Sequence, residues 1–319
     1  MPTKVFIDGG EGTTGLRLSE RLSSREDIQL LSIGSDLRKD DKAKAALSNS
    51  ADVVFLCLPD DAARAAAAEI SNPNVRVIDA STAHRTLDDW AYGLPELSAA
   101  HREKIRTSKR LSVPGCHATG FNLLVYPLVS KGLAPESYPF TSHSITGYSG
   151  AGKNVIANYA AKDRPLDYAV PRQYALGQSH KHLPEMKKIS GLAFPPVFSP
   201  IICDFYAGMV ITAPVHLRML DGRPGAKELH GFFADFYAGQ KLVKVQPWGS
   251  EQALPESMLD AEKLAGRDDL EIYVFGNDER AILAARFDNL GKGASGAAIQ
   301  IMNIVLGLPE EAGLVTGGS

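Results

Sequence analysis

The first third of the chain alternates short apolar runs with stretches of helical spacing. Apolar runs typical of strands occur at 4–8, 28–34, 52–58 and 75–80. They are nearly continuous, as expected of parallel strands that are covered on both faces. Residues 13–24 and 60–70 have the spacing of amphipathic helices, and the second begins with acidic residues, which the helix dipole favours. This alternation predicts a doubly wound α/β fold with a parallel sheet.

The pattern changes after residue 115. A helix is predicted over 121–129, and longer loops rich in glycine, proline and tyrosine follow it. Residues 207–220 and 269–277 indicate strands of a second, mixed sheet. The stretch 291–308 predicts a glycine-rich loop that leads into an apolar helix. The 319 residues are enough for one large or two ordinary domains, each able to bury its own core.

Composition narrows the class of protein. A net charge of −3 and an isoelectric point near 6.3 exclude a broad basic surface for nucleic acid. No apolar run approaches the roughly 20 residues that cross a bilayer, and the first residues lack the apolar core of a signal peptide. The three cysteines have neither metal-site spacing nor the even number of a disulfide framework. We therefore expect a cytoplasmic protein with no metal, no nucleic-acid partner and no membrane partner.

The loop GGEGTTG follows the first predicted strand and opens the first predicted helix. Its glycines are Gly9, Gly12 and Gly15. A loop of this kind directs backbone N–H groups and the helix N-terminus at a pyrophosphate. In this strand–loop–helix setting, it predicts a dinucleotide-binding domain.

The end of the second predicted strand distinguishes NAD from NADP. An acidic residue about 20 positions beyond the glycines would bind the ribose 2′-hydroxyl of NAD. Ser35 occupies the expected position, and Arg38 and Lys39 lie just beyond it. A small hydroxyl and two cations suit a 2′-phosphate, although Asp36 leaves a solvated turn as the alternative. We favour NADP(H) as the cofactor.

Cys116 stands in VPGCHATG, directly after a Pro-Gly pair. Apolar residues with helical spacing begin at Phe121, so a buried helix starts within a few residues of the cysteine. Thiol pKa values fall at helix N-termini, which suits a nucleophile. A structural cysteine in a turn is the alternative. Cys57 and Cys203 lie within apolar runs, and we expect both to be buried core thiols.

A nucleophilic cysteine needs a base, and two histidines stand together in QSHKHLPEM. Pro184 suits the first turn of a helix and places His180 and His182 in or beside the preceding loop. Because they are two residues apart, we expect at most one of them to face the thiol. His117 is a weaker base, since neighbours in a tight turn usually diverge. A metal site made of the two histidines and Glu185 lacks a convincing further ligand.

A nicotinamide cofactor together with an activated cysteine indicates a specific chemistry. The thiolate attacks a carbonyl carbon, and a hydride moves between the cofactor and the resulting tetrahedral carbon. An acyl-enzyme thioester links the aldehyde and acyl levels of oxidation. The sequence therefore predicts an oxidoreductase that interconverts aldehydes with acyl phosphates or carboxylates.

These motifs resemble those of the N-acetyl-γ-glutamyl-phosphate reductase family, specifically its shorter form. The matching stretches are GGEGTTG, VIDASTAHR, YGLPEL, VPGCHATG, GYSGAGK, HKHLPEM and GKGASGAAIQIMNIVLGLPEEAGL, and they cover nearly the whole chain. Aspartate-semialdehyde dehydrogenases share the expected architecture and the cysteine chemistry. They lack this His-x-His-x-Pro-Glu element.

The resemblance implies NADPH-dependent reduction of N-acetyl-γ-glutamyl phosphate to N-acetylglutamate 5-semialdehyde, with release of phosphate, in arginine biosynthesis. Cys116 would form the thioester, and His180 would be the acid/base. His182 would orient or bind the substrate, and Glu185 would support both histidines.

The resemblance also suggests binding residues. Ser149, Gly150 and Lys153 lie in a donor-rich loop suited to phosphate. Arg85 is a candidate for the anionic groups of the substrate, with a surface ion pair as the alternative. Cofactor contacts are expected from Gly9, Gly12, Thr13, Thr14, Gly15, Ser35, Arg38, Pro59, Ser81 and Asn303.

The expected architecture is a Rossmann dinucleotide-binding domain formed by residues 1–115 with 296–319, and an α+β substrate and oligomerisation domain formed by 116–295. By analogy with the family, we expect a homo-oligomer, either a dimer or a tetramer. One alternative is a related semialdehyde dehydrogenase acting on another acyl phosphate, such as aspartyl phosphate. Another is a cofactor-binding regulatory protein without turnover, which predicts an inert Cys116.

Overall fold

The apolar runs near the start of the chain form one sheet of six parallel strands. The computed structural model describes residues 1–34, 36–38 and 40–317. The strands of this sheet are β1 (Thr3–Asp8), β2 (Ile28–Leu31), β3 (Val53–Leu56), β4 (Arg76–Asp79), β5 (Ala91–Tyr92) and β6 (Arg110–Ser112). They lie in the order β2-β1-β3-β4-β6-β5, and each neighbouring pair is parallel. The predicted parallel sheet is confirmed.

Helices cover both faces of this sheet, which explains why its strands are apolar along their length. The helices are α1 (Thr13–Ser23), α2 (Asp41–Ser50), α3 (Asp60–Ala68), α4 (Ala99–Thr107) and a helix at Gly296–Leu306. Val53 and Phe55 of β3 belong to one core cluster, and Val54 and Leu56 belong to a second cluster on the opposite face. The helix α2 was not predicted, because its only apolar residues are three alanines and one leucine.

The second sheet has seven strands and mixed directions, as predicted. Its strands are β7 (Thr141–Gly147), β8 (Arg172–Gln173), β9 (Val197–Cys203), β10 (Met209–His216), β11 (Val243–Val245), β12 (Leu270–Gly276) and β13 (Arg280–Phe287). The order is β11-β12-β13-β10-β7-β9-β8. The pairs β7–β9 and β11–β12 are parallel, and the other pairs are antiparallel.

Four helices accompany the second sheet. They are α5 (Cys116–Ser130), α6 (Lys153–Ala160), α7 (Leu183–Ser190) and α8 (Ala226–Phe236), and the helix at Gly296–Leu306 is therefore α9. The helix predicted over 121–129 is part of α5. The loop predicted before α9 is instead a turn of π-helix at Gly291–Ser295. Among the described residues, no helix is long and apolar enough to cross a membrane.

The chain divides into two compact units. The first comprises Met1–Pro114 and Ala294–Leu314, and the second comprises Gly115–Gly293 and the chain from Val315 onward. The expectation that all of 296–319 belongs to the first domain is wrong for this tail. Its backbone is held by Asp268 in the second unit: the N–H of Val315 donates to Asp268 Oδ2 at 2.8 Å, and the N–H of Asp268 donates to the carbonyl of Val315 at 2.7 Å.

Gly120 allows α5 to approach the second sheet closely. A Cβ atom at this position would lie 2.5 Å from Ile211 Cγ1 and 2.9 Å from Phe287 Cε1. These distances are shorter than real Cβ contacts, so a side chain here would displace the sheet residues. Gly231, inside α8, is a matched contrast, because a Cβ there would meet no tertiary neighbour within 4 Å among the described residues.

The two glycines should therefore respond oppositely to alanine. Replacing glycine by alanine inside a helix ordinarily stabilises by up to about 1 kcal/mol. We expect Gly231→Ala to raise the free energy of unfolding by about that amount. We expect Gly120→Ala to lower it by about 1–3 kcal/mol, because the added methyl group overpacks the core. Urea unfolding followed by circular dichroism measures both, and equal stabilisation by the two variants would contradict the close approach of α5.

Candidate active site

Cys116 is the first residue of α5, so the thiol lies at a helix N-terminus. Gly115 is the N-cap residue in an extended conformation, and no side chain caps this helix end. The carbonyl of Gly115 accepts the N–H of Thr119 at 2.8 Å, which is the first hydrogen bond of the helix. The thiol is half-buried. The uncapped N–H groups and the helix dipole favour the thiolate at this place. The sequence predicted a helix start near the cysteine, and the helix begins at the cysteine itself.

Glu185 holds the turn that precedes the cysteine. Its Oε1 atom accepts the backbone N–H of Gly115 at 2.8 Å, and the side chain is almost completely buried. Glu185 lies in the first turn of α7. Glu185 thus contacts the backbone next to Cys116, whereas its expected support of the histidines stays a prediction.

Two histidines, His117 and His182, lie close to Cys116. One ligand atom each from Cys116, His117 and His182 forms a group in which all separations are within 4.8 Å. His180 lies outside this group. His182 directly precedes α7, and its backbone N–H donates to His180 Nδ1 at 3.1 Å. The assignment of His180 as the acid/base stays a prediction; His180 contacts the backbone of His182, and His182 belongs to the group that contains the thiol.

His117 is buried beside the thiol and makes two hydrogen bonds. Its Nδ1 atom lies 2.7 Å from Ser144 Oγ, and its Nε2 atom lies 2.8 Å from the Tyr174 hydroxyl. Burial lowers the pKa of His117 to about 3, and the neighbouring His180 and Lys181 add to this effect. The ring is therefore neutral near pH 7, donating from one nitrogen and accepting at the other. With both nitrogens engaged, His117 is not available as a base.

His180 packs among aromatic rings. Its ring centroid lies 4.7 Å from that of His182, 5.3 Å from that of His117 and 5.2 Å from that of Phe198. Burial lowers the pKa of His180 to about 4, with a further contribution from the charge of Lys181. Burial also raises the pKa of Tyr174, and the neighbouring Cys116 adds to the increase. The rings around the thiol are thus held in neutral forms.

The cluster of Cys116, His117 and His182 has ligand types that suit zinc. A metal ion would have to take one nitrogen of His117 from Ser144 or Tyr174. The carboxyl of Glu185, a ligand in the alternative considered above, is already hydrogen-bonded to Gly115. We therefore assign no metal to this cluster.

The predicted phosphate loop lies between β7 and α6. Ser149 is buried, and its hydroxyl accepts a hydrogen bond from Asn289 Nδ2 at 2.9 Å. Gly150 and Lys153 are exposed, and Lys153 opens α6. Asn289 also accepts the N–H of Gly208 at 2.9 Å. Neither Asn289 nor Tyr174 was singled out from the sequence, because no local motif marks a side chain whose partners are so distant along the chain.

The other two cysteines lie in places that disfavour the thiolate. Cys57 follows β3 and packs against the core of the first unit, and burial raises its pKa to about 12. Cys203 ends β9, and burial also raises its pKa. Both were expected to be buried core thiols. Cys57 packs against the core, and both residues are partly exposed.

The glycine loop of the first unit fits a dinucleotide. The direction in which successive strands are added to the sheet reverses between β1 and β3. In sheets of this kind, ligands bind beyond the carboxyl ends of the strands at this point. Gly9 has a φ angle of +83°, and a Cβ on it would lie 2.3 Å from the carbonyl oxygen of Cys57. Gly12 is the N-cap of α1 without a side-chain cap, an arrangement that suits a pyrophosphate at the N–H groups of the first turn. Thr13 and Thr14 form that turn.

Other expected cofactor contacts are distributed around this edge. Arg38 forms an exposed ion pair with Glu11 of the glycine loop, which places a guanidinium beside the loop. Ser35 and Lys39 lie outside the described residues. Pro59 follows β3 and precedes α3. Ser81 follows β4, and its hydroxyl donates to Asp79 Oδ2 at 2.7 Å.

Asn303 does not fit the cofactor role expected for it. Its Nδ2 atom donates to the carbonyls of Glu310 and Ala312, and its Oδ1 atom accepts from Arg25 Nη1. The side chain is fully buried and its hydrogen-bonding groups are used, so it anchors the chain after α9. Arg85 is buried in the first unit and donates to the carbonyl of Ala80 at 3.1 Å. Its role towards substrate remains a prediction.

Comparisons with known proteins first define the class. Residues 116–289 match the family described as semialdehyde dehydrogenase, dimerisation domain, and residues 26–107 match the semialdehyde dehydrogenase NAD binding domain. Two solved aspartate semialdehyde dehydrogenases share the fold at 15% sequence identity. The enzyme II from Vibrio cholerae superposes with a TM-score of 0.71 over 96% of this chain and 98% of its own. The enzyme with NADP from Candida albicans gives 0.67 over 96% and 99%.

Closer relatives define the family within that class. The N-acetyl-gamma-glutamyl-phosphate reductase 2 of Nostoc sp. is 47% identical over 98% of this chain and 99% of its own length. The N-acetyl-gamma-glutamyl-phosphate reductase of Chelativorans sp. is 44% identical over 96% and 99%. With these identities along nearly its whole length, the chain belongs to the N-acetyl-γ-glutamyl-phosphate reductase family.

The three cysteines should differ strongly in reactivity. Cys116 lies at an uncapped helix N-terminus, whereas burial raises the pKa values of Cys57 and Cys203. We expect iodoacetamide at pH 7.5 to alkylate Cys116 about tenfold faster or more than either other thiol. Peptide mass spectrometry after timed quenching measures the three rates in one sample. Equal, slow labelling of all three would count against a nucleophilic Cys116.

Proposed function

We propose that this protein catalyses the NADPH-dependent reduction of N-acetyl-γ-glutamyl phosphate to N-acetylglutamate 5-semialdehyde and phosphate, a step of arginine biosynthesis. The observation that carries the proposal is the pairing of Cys116 at the start of α5 with His182, within 4.8 Å, in a chain of this family. A thiol and an imidazole that close to hydrogen-bond distance when substrate binds form the nucleophile–base pair that acyl transfer needs.

In the first half of the reaction, Cys116 attacks the carbonyl carbon of the acyl phosphate while His182 takes the thiol proton. The C–O bond to phosphate breaks, the thioester forms, and phosphate leaves as hydrogen phosphate with a proton from solvent. The N–H groups at the start of α5 stabilise the negative charge of the attacking sulfur. Ser149, Gly150 and Lys153 are the proposed ligands of the phosphate group.

In the second half, NADPH supplies a hydride to the thioester carbon when it is bound. The carbonyl oxygen takes up the proton that His182 holds, which gives a thiohemiacetal on Cys116. The C–S bond then breaks, the aldehyde forms, and the proton of the hydroxyl group returns to the sulfur through His182. His117 and His180 remain neutral throughout, because burial keeps their pKa values low.

Cofactor binding is assigned to the first unit. The uncapped start of α1 would hold the pyrophosphate, with Gly9, Gly12, Thr13, Thr14 and Gly15 forming the loop. Arg38 would exchange its partner Glu11 for the 2′-phosphate of NADP(H). An exposed ion pair contributes at most about 1 kcal/mol, so this exchange costs little. Pro59 and Ser81 follow neighbouring strands at the same sheet edge and complete the proposed contacts.

We also propose a cytoplasmic homo-oligomer, either a dimer or a tetramer. The match to a dimerisation domain over 116–289 supports self-association. The second sheet carries exposed apolar side chains on three of its strands, at Ile145, Val197 and Ile282. Such a face is typical of a subunit interface.

The reaction and the substrate can be tested together. We expect the purified protein to reduce NADP⁺ when given N-acetylglutamate semialdehyde and inorganic phosphate. Omitting phosphate or replacing Cys116 by alanine should abolish turnover, since the thioester then has no acceptor or cannot form. Aspartate semialdehyde serves as the parallel substrate, because the solved structures of this fold are aspartate semialdehyde dehydrogenases. Turnover of that substrate alone would keep the mechanism and overturn the proposed substrate.

The roles of the two histidines can be separated by matched variants. We expect His182→Asn to lower kcat by about 10²–10⁴-fold, the usual contribution of an acid/base residue. We expect His180→Asn to lower it less, because an asparagine oxygen can still accept the backbone N–H of His182. Steady-state kinetics at saturating substrate measures both values. A larger loss in His180→Asn would restore the assignment first made from the sequence.

A further inference from the structure

The segment from Tyr174 to His182 contains His180 and His182. It departs from the second sheet at Ala175. Gln173 of β8 pairs with Ile201 of β9, and the N–H of Tyr174 still donates to the carbonyl of Pro200 at 3.1 Å. At Ala175 the backbone turns away with a φ angle of +52°. The N–H of Gln178 closes this turn on the carbonyl of Ala175 at 3.0 Å. No regular strand pairing then fixes the segment before α7 begins.

Gln178 re-attaches the segment to the sheet through its side chain. Its Nε2 atom donates to the carbonyl of Phe198 at 2.8 Å, and its Oε1 atom accepts the N–H of Phe198 at 2.9 Å. A carboxamide presents a donor and an acceptor side by side, as a peptide group does. It therefore occupies the place on β9 that the next residues of a longer β8 would have taken.

The backbone of Gln178 is strained. Its φ angle is +53°, a conformation that costs a residue other than glycine roughly 1–2 kcal/mol. A strained backbone conformation persists where surrounding contacts hold it, and strained residues cluster at functional sites. The two hydrogen bonds to Phe198 help to hold Gln178 in its conformation.

The two hydrogen bonds between Gln178 and Phe198, together called the clamp, lie beside the aromatic rings of the site. The Phe198 side chain is buried, and its ring lies edge-on to His117 at 5.1 Å and to His180 at 5.2 Å between centroids. His180 follows Gln178 by two residues, and His182 follows it by four. The clamp thus holds the backbone two residues before His180. It also holds Phe198, against whose ring His180 packs.

We propose that Gln178 is a positioning residue of the active site. Its two-point clamp on Phe198 holds the segment 174–182 in the register that brings His182 to Cys116. Gln178 acts through the histidines and touches no reacting atom. The proposal rests on the proposed function for its kinetic consequences, whereas its geometric consequence concerns Cys116 and His182 alone.

The test compares Gln178 with Gln173, a glutamine of the preceding strand β8. Gln178→Ala removes the clamp, and Gln173→Ala is the control, since the contacts of Gln173 with β9 are made by its backbone. We expect Gln178→Ala to lower kcat by about tenfold to hundredfold, with a smaller change in KM, because a small displacement of an acid/base group has effects of this size. We expect Gln173→Ala to retain the parent kcat. A parent-like kcat in Gln178→Ala would overturn the proposal.

A glycine variant separates the clamp from the strain. Gln178→Gly removes the clamp but also the cost of the positive φ angle, so it should fold at least as well as Gln178→Ala. Loss of kcat in both variants, at a parent-like urea midpoint for Gln178→Gly, is the expected result. Full activity of Gln178→Gly would show that the clamp is dispensable and would overturn the proposal.

A substrate-free readout keeps this proposal distinct from the proposed reaction. The pH dependence of Cys116 alkylation reports on the imidazole near the thiol. We expect the profile of Gln178→Ala to move from that of the parent towards that of His182→Asn, with Gln173→Ala unchanged. A parent-like profile in Gln178→Ala would reject the positioning role even if turnover is confirmed. A shifted profile with no turnover of N-acetylglutamate semialdehyde by the parent protein would sustain the positioning role and reject the proposed substrate.

Discussion

The hydrogen bond from the Gly115 N–H to Glu185 is the contact on which the site depends. It joins the backbone directly before Cys116 to the first turn of α7, and His182 directly precedes that turn. Leaving a buried N–H group without a partner costs about 1–3 kcal/mol, and Glu185 is almost completely buried. Because α5 begins at Cys116 and α7 begins just after His182, this contact ties together the two chain segments that carry the proposed nucleophile and base.

Neutral side chains surround this pair. Burial keeps His117 and His180 uncharged and Tyr174 protonated, so the surrounding rings do not add charges that compete with the thiolate or with a protonated His182. Ser144 and Tyr174 occupy the two nitrogens of His117, whereas His182 is the other imidazole of the group around the thiol. This difference is the reason for proposing His182 as the acid/base.

Much of the fold follows from local pattern. The continuous apolar runs predicted parallel strands because both faces of β3 are buried, and the glycine loop predicted the start of α1 because its glycines satisfy the tight turn after β1. The alanine-rich α2 escaped prediction, since its few apolar residues give a weak helical signal. The role of Asn303 was predicted wrongly because its partners, Arg25 and the backbone at 310–312, come from separate parts of the sequence.

The sequence by itself determined which chemistry is present: a cysteine at a helix start, a histidine pair before a proline, and a phosphate-binding glycine loop, all set by short-range backbone rules. The tertiary structure alone decided which side chains gather around the thiol, because side chains two residues apart in a loop change direction with small changes in the backbone angles. That choice depends on contacts between residues 20 to 70 positions apart, such as Gln178 with Phe198 and Gly115 with Glu185. Periodicity cannot encode such contacts, since they form only when separate elements pack together.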